Sequence, residues 1–410
     1  MSNDETWTQL ASLVSKVVGG GTPSRAVPAY WRGDVPWASV KDFIEGSNRL
    51  SATTEYISRR ALQESAANLI PAGTPIVCTR MAVGRATIAS IDVSINQDLK
   101  ALYPERNVDP RYLLHSLTYL RPKLDALATG STVKGLQVKE LMKFSIFKLE
   151  LSEQHRVAEI LDSLEDQILL TERTISKMNL VQVGLMRSSL GTQGVGDSAR
   201  KGLEIAVPAG WLCLPLADVV GEPITYGIVQ AGPHVPGGIP YVRTGDMSGI
   251  ELSVDGLMRT SRRIANSYAR STVHTGELVC AIRATVGKVL PVPPELDGAN
   301  LTQGTARIAP GRLIEPRFLY WEMRGERVQN QIALALKGTT FFEITLAALR
   351  QVRVAMPSLP AQREITEVLD AQEALVRRES DLLTQLRALK AGLMDDLLTG
   401  RVRVPNGVMS

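Results

Sequence analysis

The sequence predicts an α+β protein made of two tandem α+β blocks separated by two long α-helices that pair as an antiparallel coiled coil. Three observations predict it. The first is an internal repeat in the 410-residue chain: Glu153 to Asp162 falls on Ala361 to Asp370, an offset of 361 − 153 = 208. The same offset carries Gly130 onto Gly338, Leu141 onto Leu349, and Gly184-Leu185-Met186 onto Gly392-Leu393-Met394. Upstream the match drifts as loops do, with Pro110-Arg111 on Pro316-Arg317, Gln97 on Gln303, Gly73, Arg80 and Gly84 on Gly276, Arg283 and Gly287, and Val35-Pro36-Trp37 on Ile239-Pro240-Tyr241. The second observation is a heptad seam in each copy. The third is charge: residues 1–150 carry 18 basic and 14 acidic side chains and 201–358 carry 16 and 13, whereas 151–200 carry 5 and 7 and 359–410 carry 7 and 8.

These patterns divide the chain at 1–150 (first block), 151–191 (central helix), 192–202 (linker), 203–358 (second block), 359–402 (C-terminal helix) and 403–410 (tail). In the first block, β-rich runs at Ile76–Thr79 and Ala86–Ile91 lie between glycine, proline and asparagine turns, and a helix is expected after Pro110. The central helix shows apolar residues at alternating spacings of four and three: Val157, Leu161, Leu164, Ile168, Ile175, Met178 and Leu185, with polar breaks at Thr171 and Gln182. Ser152 suits its N-cap and Gly191 its C-terminal end. A glycine- and serine-bearing stretch leads to the second block, with a β-rich run at Leu278–Ile282 and a helix after Pro316. The second seam runs through Ile365, Leu369, Val376, Leu383, Leu386 and Leu393, broken by Gln372, Glu379 and Lys390, with Pro360 in the first turn and Gly400 at the end. A helix of about 38 residues extends roughly 57 Å at about 1.5 Å per residue. Alone, such a helix leaves an apolar stripe in water. Pairing the two stripes removes both; packing each helix on its own block is the alternative.

Composition narrows the function classes. With 44% hydrophobic and 21% charged residues the chain is an ordinary globular protein. No run reaches the roughly 18 apolar residues of a membrane span, and the start, Met1 to Glu5, lacks a basic-then-apolar leader, so a cytoplasmic location is expected. Cys78, Cys213 and Cys280 stand singly and suit neither a zinc site nor a disulfide framework. His115, His155, His234 and His274 are scattered, without metal or triad spacing. Gly19 to Ser24 is glycine-rich but lacks the Lys-Ser/Thr of a phosphate-binding loop. No metal, cofactor or catalytic constellation is expected; Asp92 or Asp98 beside Lys100 is a loose combination that a solvated turn explains.

What remains are polar clusters at matching places, suited to reading a partner. Arg80 with Arg85, and Arg283 with Lys288, each place two bases around a glycine turn, the geometry for forking onto guanine edges or phosphates; solvated hairpin turns are the alternative. Lys41 and Asp42, Arg243, Thr244 and Asp246, Gln97 and Gln303, Ser131-Thr132 with Lys134, and Thr339-Thr340 add possible base-edge or phosphate contacts, as do Thr22, Ser24 and Arg25. Trp31, Trp37 and Tyr241 suit core or ledge positions better than stacking.

Gly20 to Ser24 with Tyr30 to Asp42 resembles the opening of a target-recognition domain in the DNA-specificity subunit of type I restriction-modification enzymes. Asn96-Gln97, Gly338-Thr339-Thr340 and the glutamines Gln154 and Gln362 at the starts of the long helices strengthen the likeness. The resemblance covers nearly the whole chain and implies a non-catalytic subunit. It would hold two methyltransferase subunits, and through them restriction/translocase subunits, on a double-stranded, asymmetric, two-part DNA target. S-adenosylmethionine, ATP and magnesium would belong to those partner subunits. Each block would read one half-site and the helices would fix the gap between them. Competing readings are a specificity subunit of a methylation-based defence system without a restriction motor, a coiled-coil adaptor with no DNA role, and a nuclease.

Overall fold

The structure, a computed structural model, describes residues 6–44, 46–129, 135–192, 207–338 and 342–404. It forms two compact units, Met1–Ile175 with Glu379–Ser410, and Ser176–Arg378. The expected linker lies outside the described residues but for Thr192, and so does most of the 403–410 tail.

In the first unit the chain order is β1 (Trp7–Gln9), β2 (Val14–Gly19), β3 (Val35–Ala38), β4 (Arg49–Leu50), β5 (Glu55–Ile57) and α1 (Arg59–Glu64). There follow β6 (Leu69–Ile70), β7 (Pro75–Cys78), β8 (Ala86–Ala89), β9 (Val93–Ile95), β10 (Leu99–Pro104), α2 (Pro110–Leu127), α3 (Val138–Leu141) and β11 (Ser145–Phe147). The first long helix, α4, is Leu151–Ser189. Three sheets result, ordered β2-β10-β7-β8-β4, β5-β3-β9-β6 and β1-β11. Pro110 occupies the first turn of α2, where its missing N–H costs nothing, and Asp109 caps that helix by accepting from Arg111 N at 2.7 Å.

In the second unit β12 (Leu212–Pro215), α5 (Leu216–Val219), β13 (Thr225–Tyr226), β14 (Ile239–Val242), β15 (Arg259–Thr260) and α6 (Arg262–Ser267) come first. Then come β16 (Leu278–Ala281), β17 (Val289–Pro291), β18 (Asn300–Leu301), β19 (Thr305–Ile308), α7 (Pro316–Arg324), α8 (Glu326–Leu334), α9 (Leu346–Gln351), β20 (Arg353–Met356) and the second long helix, α10 (Leu359–Leu398). The sheets β13-β19-β16-β17, β15-β14-β18 and β12-β20 repeat the first unit's plan without counterparts of β4 and β6 among the described residues. One parallel pair recurs in both copies, β3 with β9, Trp37 facing Ser94, and β14 with β18, Tyr241 facing Asn300; in the first unit β4 also runs parallel to β8.

The long helices contain 39 and 40 residues. Leu151, one position before the expected cap, opens α4, so Ser152 lies inside its first turn; Gly191 and Gly400 follow the two helices with φ of +62° and +72°. In the first unit α4 and α10 run antiparallel, because Glu165 pairs with Lys390 and Glu172 accepts from Arg387 at 2.7 Å. Val157, Leu161, Leu164 and Ile168 are buried there, while Ile175, Leu383, Leu386 and Leu393 are half-buried. In the second unit Gln372 donates to Met178 O at 3.2 Å; Leu369 is buried and Ile365, Val376, Met178 and Leu185 are half-buried. Of the polar breaks, Thr171 and Gln182 are buried, Gln182 with its amide nitrogen unpaired, and Lys390 meets a carboxylate. A buried ion pair adds little net stability, but it penalises registers that separate its charges.

Pairing and packing on a block turn out to be compatible. Val157, Ala158 and Leu161 join Leu10, Tyr112, Leu113, Leu117, Met394, Leu397 and Leu398 in the first unit's main core. Leu369 joins Phe318, Trp321, Leu278, Leu349 and Leu190 in the second's. Each such fully buried side chain contributes about 1.5–3 kcal/mol of apolar burial.

Candidate nucleic-acid interface

The site is built from a strand end and a loop folded over it, once in each unit. In the first, the backbone of Gly20 lies so close to β9 that an added Cβ would sit 1.8 Å from Ile95 O. That excludes every residue but glycine, and Gly21 N then donates to Ile95 O at 3.0 Å. The loop places Thr22 over Gln97, its hydroxyl donating to Gln97 Oε1 at 2.6 Å. In the second unit Gly227 plays the same part against Leu301, an added Cβ falling 1.9 Å from Leu301 O, with Ile228 N donating to Leu301 O at 2.7 Å and Gln303 N to Ile228 O at 3.0 Å. The turn after the strand repeats too, since Thr79 N donates to Asp98 O at 2.9 Å and Ile282 N to Gly304 O at 2.9 Å.

Arg80 and Arg283 follow those donors. Directly after each comes a non-glycine residue with positive φ, Met81 at +66° and Ala284 at +59°, and no other described non-glycine residue has one. Holding a left-handed conformation there costs about 1–2 kcal/mol per residue, so the same strain aims the same arginine twice. Arg80 stands 3.7 Å from Asp98, and Arg283 donates to Glu343 at 3.2 Å; both guanidinium groups stay about half exposed. The second bases are fastened inward: Arg85 donates to Phe43 O at 3.1 Å and Lys288 to Ser248 O at 2.9 Å.

Asp42 and Asp246 serve the fold. Asp42 closes a capping box with Ser39, accepting from Ser39 N at 2.8 Å, while Asp246 accepts from Arg243 N at 2.8 Å without a reciprocal bond, because a guanidinium only donates. Asp42 also takes Thr54 N at 2.8 Å and its hydroxyl at 2.7 Å. Burial alone would raise its pKa, but the hydrogen bonds from Ser39 and Thr54 outweigh it and hold the carboxyl below its ordinary value. Lys41 is left exposed beside it. Arg243 forks onto Asp246, which raises its pKa, yet remains 46% exposed, so part of the fork still faces solvent. Arg25 is clamped on Glu55 at 2.5 and 2.9 Å and stacked 3.4 Å over Trp31; the hydrogen bond to Glu55 raises its pKa.

Gln97 and Gln303 are exposed at the two strand ends, Thr22 and Ser24 on the loop, and Thr244 packs where a Cβ on Gly304 would meet its methyl at 3.2 Å. Ser131, Thr132, Lys134, Thr339 and Thr340 lie outside the described residues. Trp37 and Tyr241 are core residues, and Trp37 donates to Gly21 O at 3.0 Å. Cys78 and Cys280 are buried, which pushes both thiols up to about 12. Among the described residues no three His, Cys, Asp or Glu side chains group as a metal site, and no helix is long and apolar enough to cross a membrane.

Sequence reasoning missed a doublet at each rim, Arg59-Arg60 on α1 and Arg262-Arg263 on α6, although an offset of 262 − 59 = 203, the one that relates Arg80 to Arg283, would have found it. It also missed what Gln154 and Gln362 do. Gln154 accepts from Asp109 N at 2.9 Å and donates to Asn107 O and Leu149 O, and Gln362 accepts from Glu315 N at 2.8 Å and donates to Leu313 O and Pro357 O. The two buried amides tie the start of each long helix to the turn that opens α2 or α7.

Comparison with known proteins agrees. Residues 5–180 and 231–388 match the type I restriction modification DNA specificity domain. The EcoBI specificity subunit of Escherichia coli is 25% identical over 353 residues, covering 81% of this chain and 71% of that protein. The MjaIX specificity subunit of Methanocaldococcus jannaschii is 22% identical over 418 residues, covering 95% and 92%. The crystal structure of the type I restriction-modification S subunit from M. genitalium superposes with a TM-score of 0.60 at 14% identity, covering 100% of this chain and 98% of that one. Two matched copies of the domain, with relatives aligned along most of their length, place this chain in the type I restriction-modification DNA-specificity family.

Proposed function

We propose that this chain is the sequence-reading subunit of a type I complex, with residues 1–150 and 203–358 each reading one half of a bipartite, asymmetric DNA target. The observation that carries the proposal is the doubled rim: the same glycine contact, strand-end glutamine and strained arginine turn occur in both units, while the side chains around them differ. One architecture displaying two sets of side chains suits two different half-sites. The helices at 151–191 and 359–402 act as the spacer and as the dock for two methyltransferase subunits, which in turn carry the restriction/translocase subunits. Beside its seam α10 presents Val368, Leu375, Leu382 and Leu389, exposed and seven residues apart. An apolar row flanking the seam is wider than a two-stranded coil uses, and it suits a further helix from a partner. Chemistry and its S-adenosylmethionine, ATP and magnesium belong to those cytoplasmic partners, and the chain itself neither methylates nor cuts.

Removing one heptad from each helix, 164–170 and 372–378, keeps the seams in phase and shortens the spacer by about 10 Å, roughly three base pairs. Sequencing of methylated sites made by this variant with its methyltransferase should return unchanged half-sites with a smaller gap. An active variant with an unchanged gap overturns the ruler. Arg80→Ala and Arg283→Ala should each cost about 1–3 kcal/mol of binding, confined to one half-site. Equal losses on every sequence would mean phosphate contacts instead.

A further inference from the structure

Both blocks carry a repeated Ser-Arg-Arg at the start of a short helix, Ser58-Arg59-Arg60 in α1 and Ser261-Arg262-Arg263 in α6. In each the serine hydroxyl accepts from the backbone three residues on, Ala61 N at 3.2 Å and Ile264 N at 3.3 Å. Ala61 and Ala265 are buried beneath, and all four arginines are exposed. Solubility explains an exposed charge. It does not explain the same doublet in both copies when the residues that follow, Ala61 to Glu64 and Ile264 to Ser267, share no such pattern.

The rim loop leads to each doublet. In the first unit it leaves Gln97 at Thr22 and arrives beside α1, where Ser58 N donates to Tyr30 O at 2.8 Å. In the second it leaves Gln303 at Ile228 and reaches α6, where the Thr260 hydroxyl donates to Ala231 O at 2.7 Å and a Cβ on Gly232 would touch the Ile264 side chain at 3.4 Å. The doublet thus ends the rim that the strand-end glutamine begins. The two differ in how occupied they are. Between Gly256 and Gly276 there are four arginines, Arg259, Arg262, Arg263 and Arg270, and no acid. Arg262 and Arg263 have no partner among the described residues, whereas Arg59 lies 4.0 Å from Asp34 and Arg60 is held on Glu64 at 2.9 Å and lies over the Tyr30 ring.

The geometry points to the doublets as clamps on the DNA backbone: Arg262 and Arg263, and less strongly Arg59 and Arg60, take phosphates beside the half-site that their own block reads. This rests on the DNA-reading function proposed above. The chemistry is that of the guanidinium, whose planar fork matches two phosphate oxygens, and such contacts orient a protein on the duplex without reading sequence.

The test uses the full chain in complex with its methyltransferase, a duplex carrying the target mapped from methylated genomic sites, and a second duplex with both half-sites scrambled, titrated at several potassium chloride concentrations. Each lost phosphate contact should flatten the plot of log affinity against log salt by about one. Arg262→Ala with Arg263→Ala should therefore flatten it by about two on both duplexes, and Arg59→Ala with Arg60→Ala by about one or less. Arg262→Lys with Arg263→Lys should recover most of the slope, since the charge is kept. Thermal unfolding checks that the variants fold. Unchanged slopes in folded alanine variants overturn the clamp, as does a loss seen on the target duplex alone, or a lysine variant as flat as alanine. A wild-type complex that binds neither duplex overturns the DNA-reading function itself; a wild-type complex that binds while the variants match it removes only the clamp.

Discussion

The two units solve one problem alike and another differently. Gln154 and Gln362 make the same three hydrogen bonds at the same joint. Nearby, the helix after each joint diverges. In the first unit α2 continues through Pro122, and the position equivalent to Glu322 (322 − 206 = 116) is Ser116, whose hydroxyl donates to Tyr112 O at 2.8 Å. In the second unit the helix breaks at Gly325 into α7 and α8, which turns Arg327 inward. Arg327 donates to Glu322 at 3.1 Å and to Leu190 O at the end of α4, while Glu322 also accepts from Ala355 N at 3.0 Å. Both side chains of that ion pair are almost wholly buried. The joint that aims a long helix is repeated, whereas a buried Arg-Glu pair holding a helix's far end is seen, among the described residues, in the second unit and not the first.

The sharpest way to break this comparison is to remove Arg327. Its loss strands a buried carboxylate, and Arg327→Ala should cost about 3–5 kcal/mol, more than Arg121→Ala at the equivalent, exposed position. Urea unfolding of the two variants reads the difference, and equal costs would show that the grip is not confined to the second unit. Next in size are Gln154→Ala and Gln362→Ala. Each leaves a buried backbone N–H and two carbonyls unpaired, at about 1–3 kcal/mol for each group left without water. The costs should match between copies, and hydrogen exchange at Asp109 and Glu315 should report the opened joint; a large inequality would mean that equal hydrogen bonds do not make equal joints. Smallest, and of opposite sign, are Met81→Gly and Ala284→Gly. Relief of the left-handed backbone should raise stability by about 1 kcal/mol in each, less the added freedom of the unfolded chain. The same variants should lose discrimination between matched and mismatched half-sites. A gain in stability with discrimination intact would show the strain to be incidental.

Much of the plan was legible because it is periodic or repeated. The seams, the ends at Gly191 and Gly400 and the helices after Pro110 and Pro316 follow from spacing and local chemistry alone. The rim was legible only in part. Asp42 and Asp246 look from the sequence like partners for a ligand; a carboxylate accepting from the backbone three residues back is a local device, yet Asp42 also takes two bonds from Thr54, twelve residues away, which no local pattern announces. Arg85 and Lys288 likewise look free until the turns carrying Phe43 and Ser248 fold beside them. The Ser-Arg-Arg doublets escaped because a short polar motif carries no periodicity to announce it, even though the offset that relates Arg80 to Arg283 also relates the doublets.

The antiparallel return has a consequence for how the protein is made. The core of the first unit includes Met394, Leu397 and Leu398, and Tyr119 bonds Asp395 across 276 positions. Residues 176–378 separate the unit's two segments, 378 − 175 = 203 residues of intervening chain. At about 5–20 residues per second, a ribosome needs roughly 10–40 s to cross that gap. Throughout that interval the nascent first unit lacks Met394, Leu397 and Leu398 of its core, so Val157 and Leu161 are covered by their own block alone and the surface awaiting the closing segment is open to chaperones, to neighbouring nascent chains and to proteases.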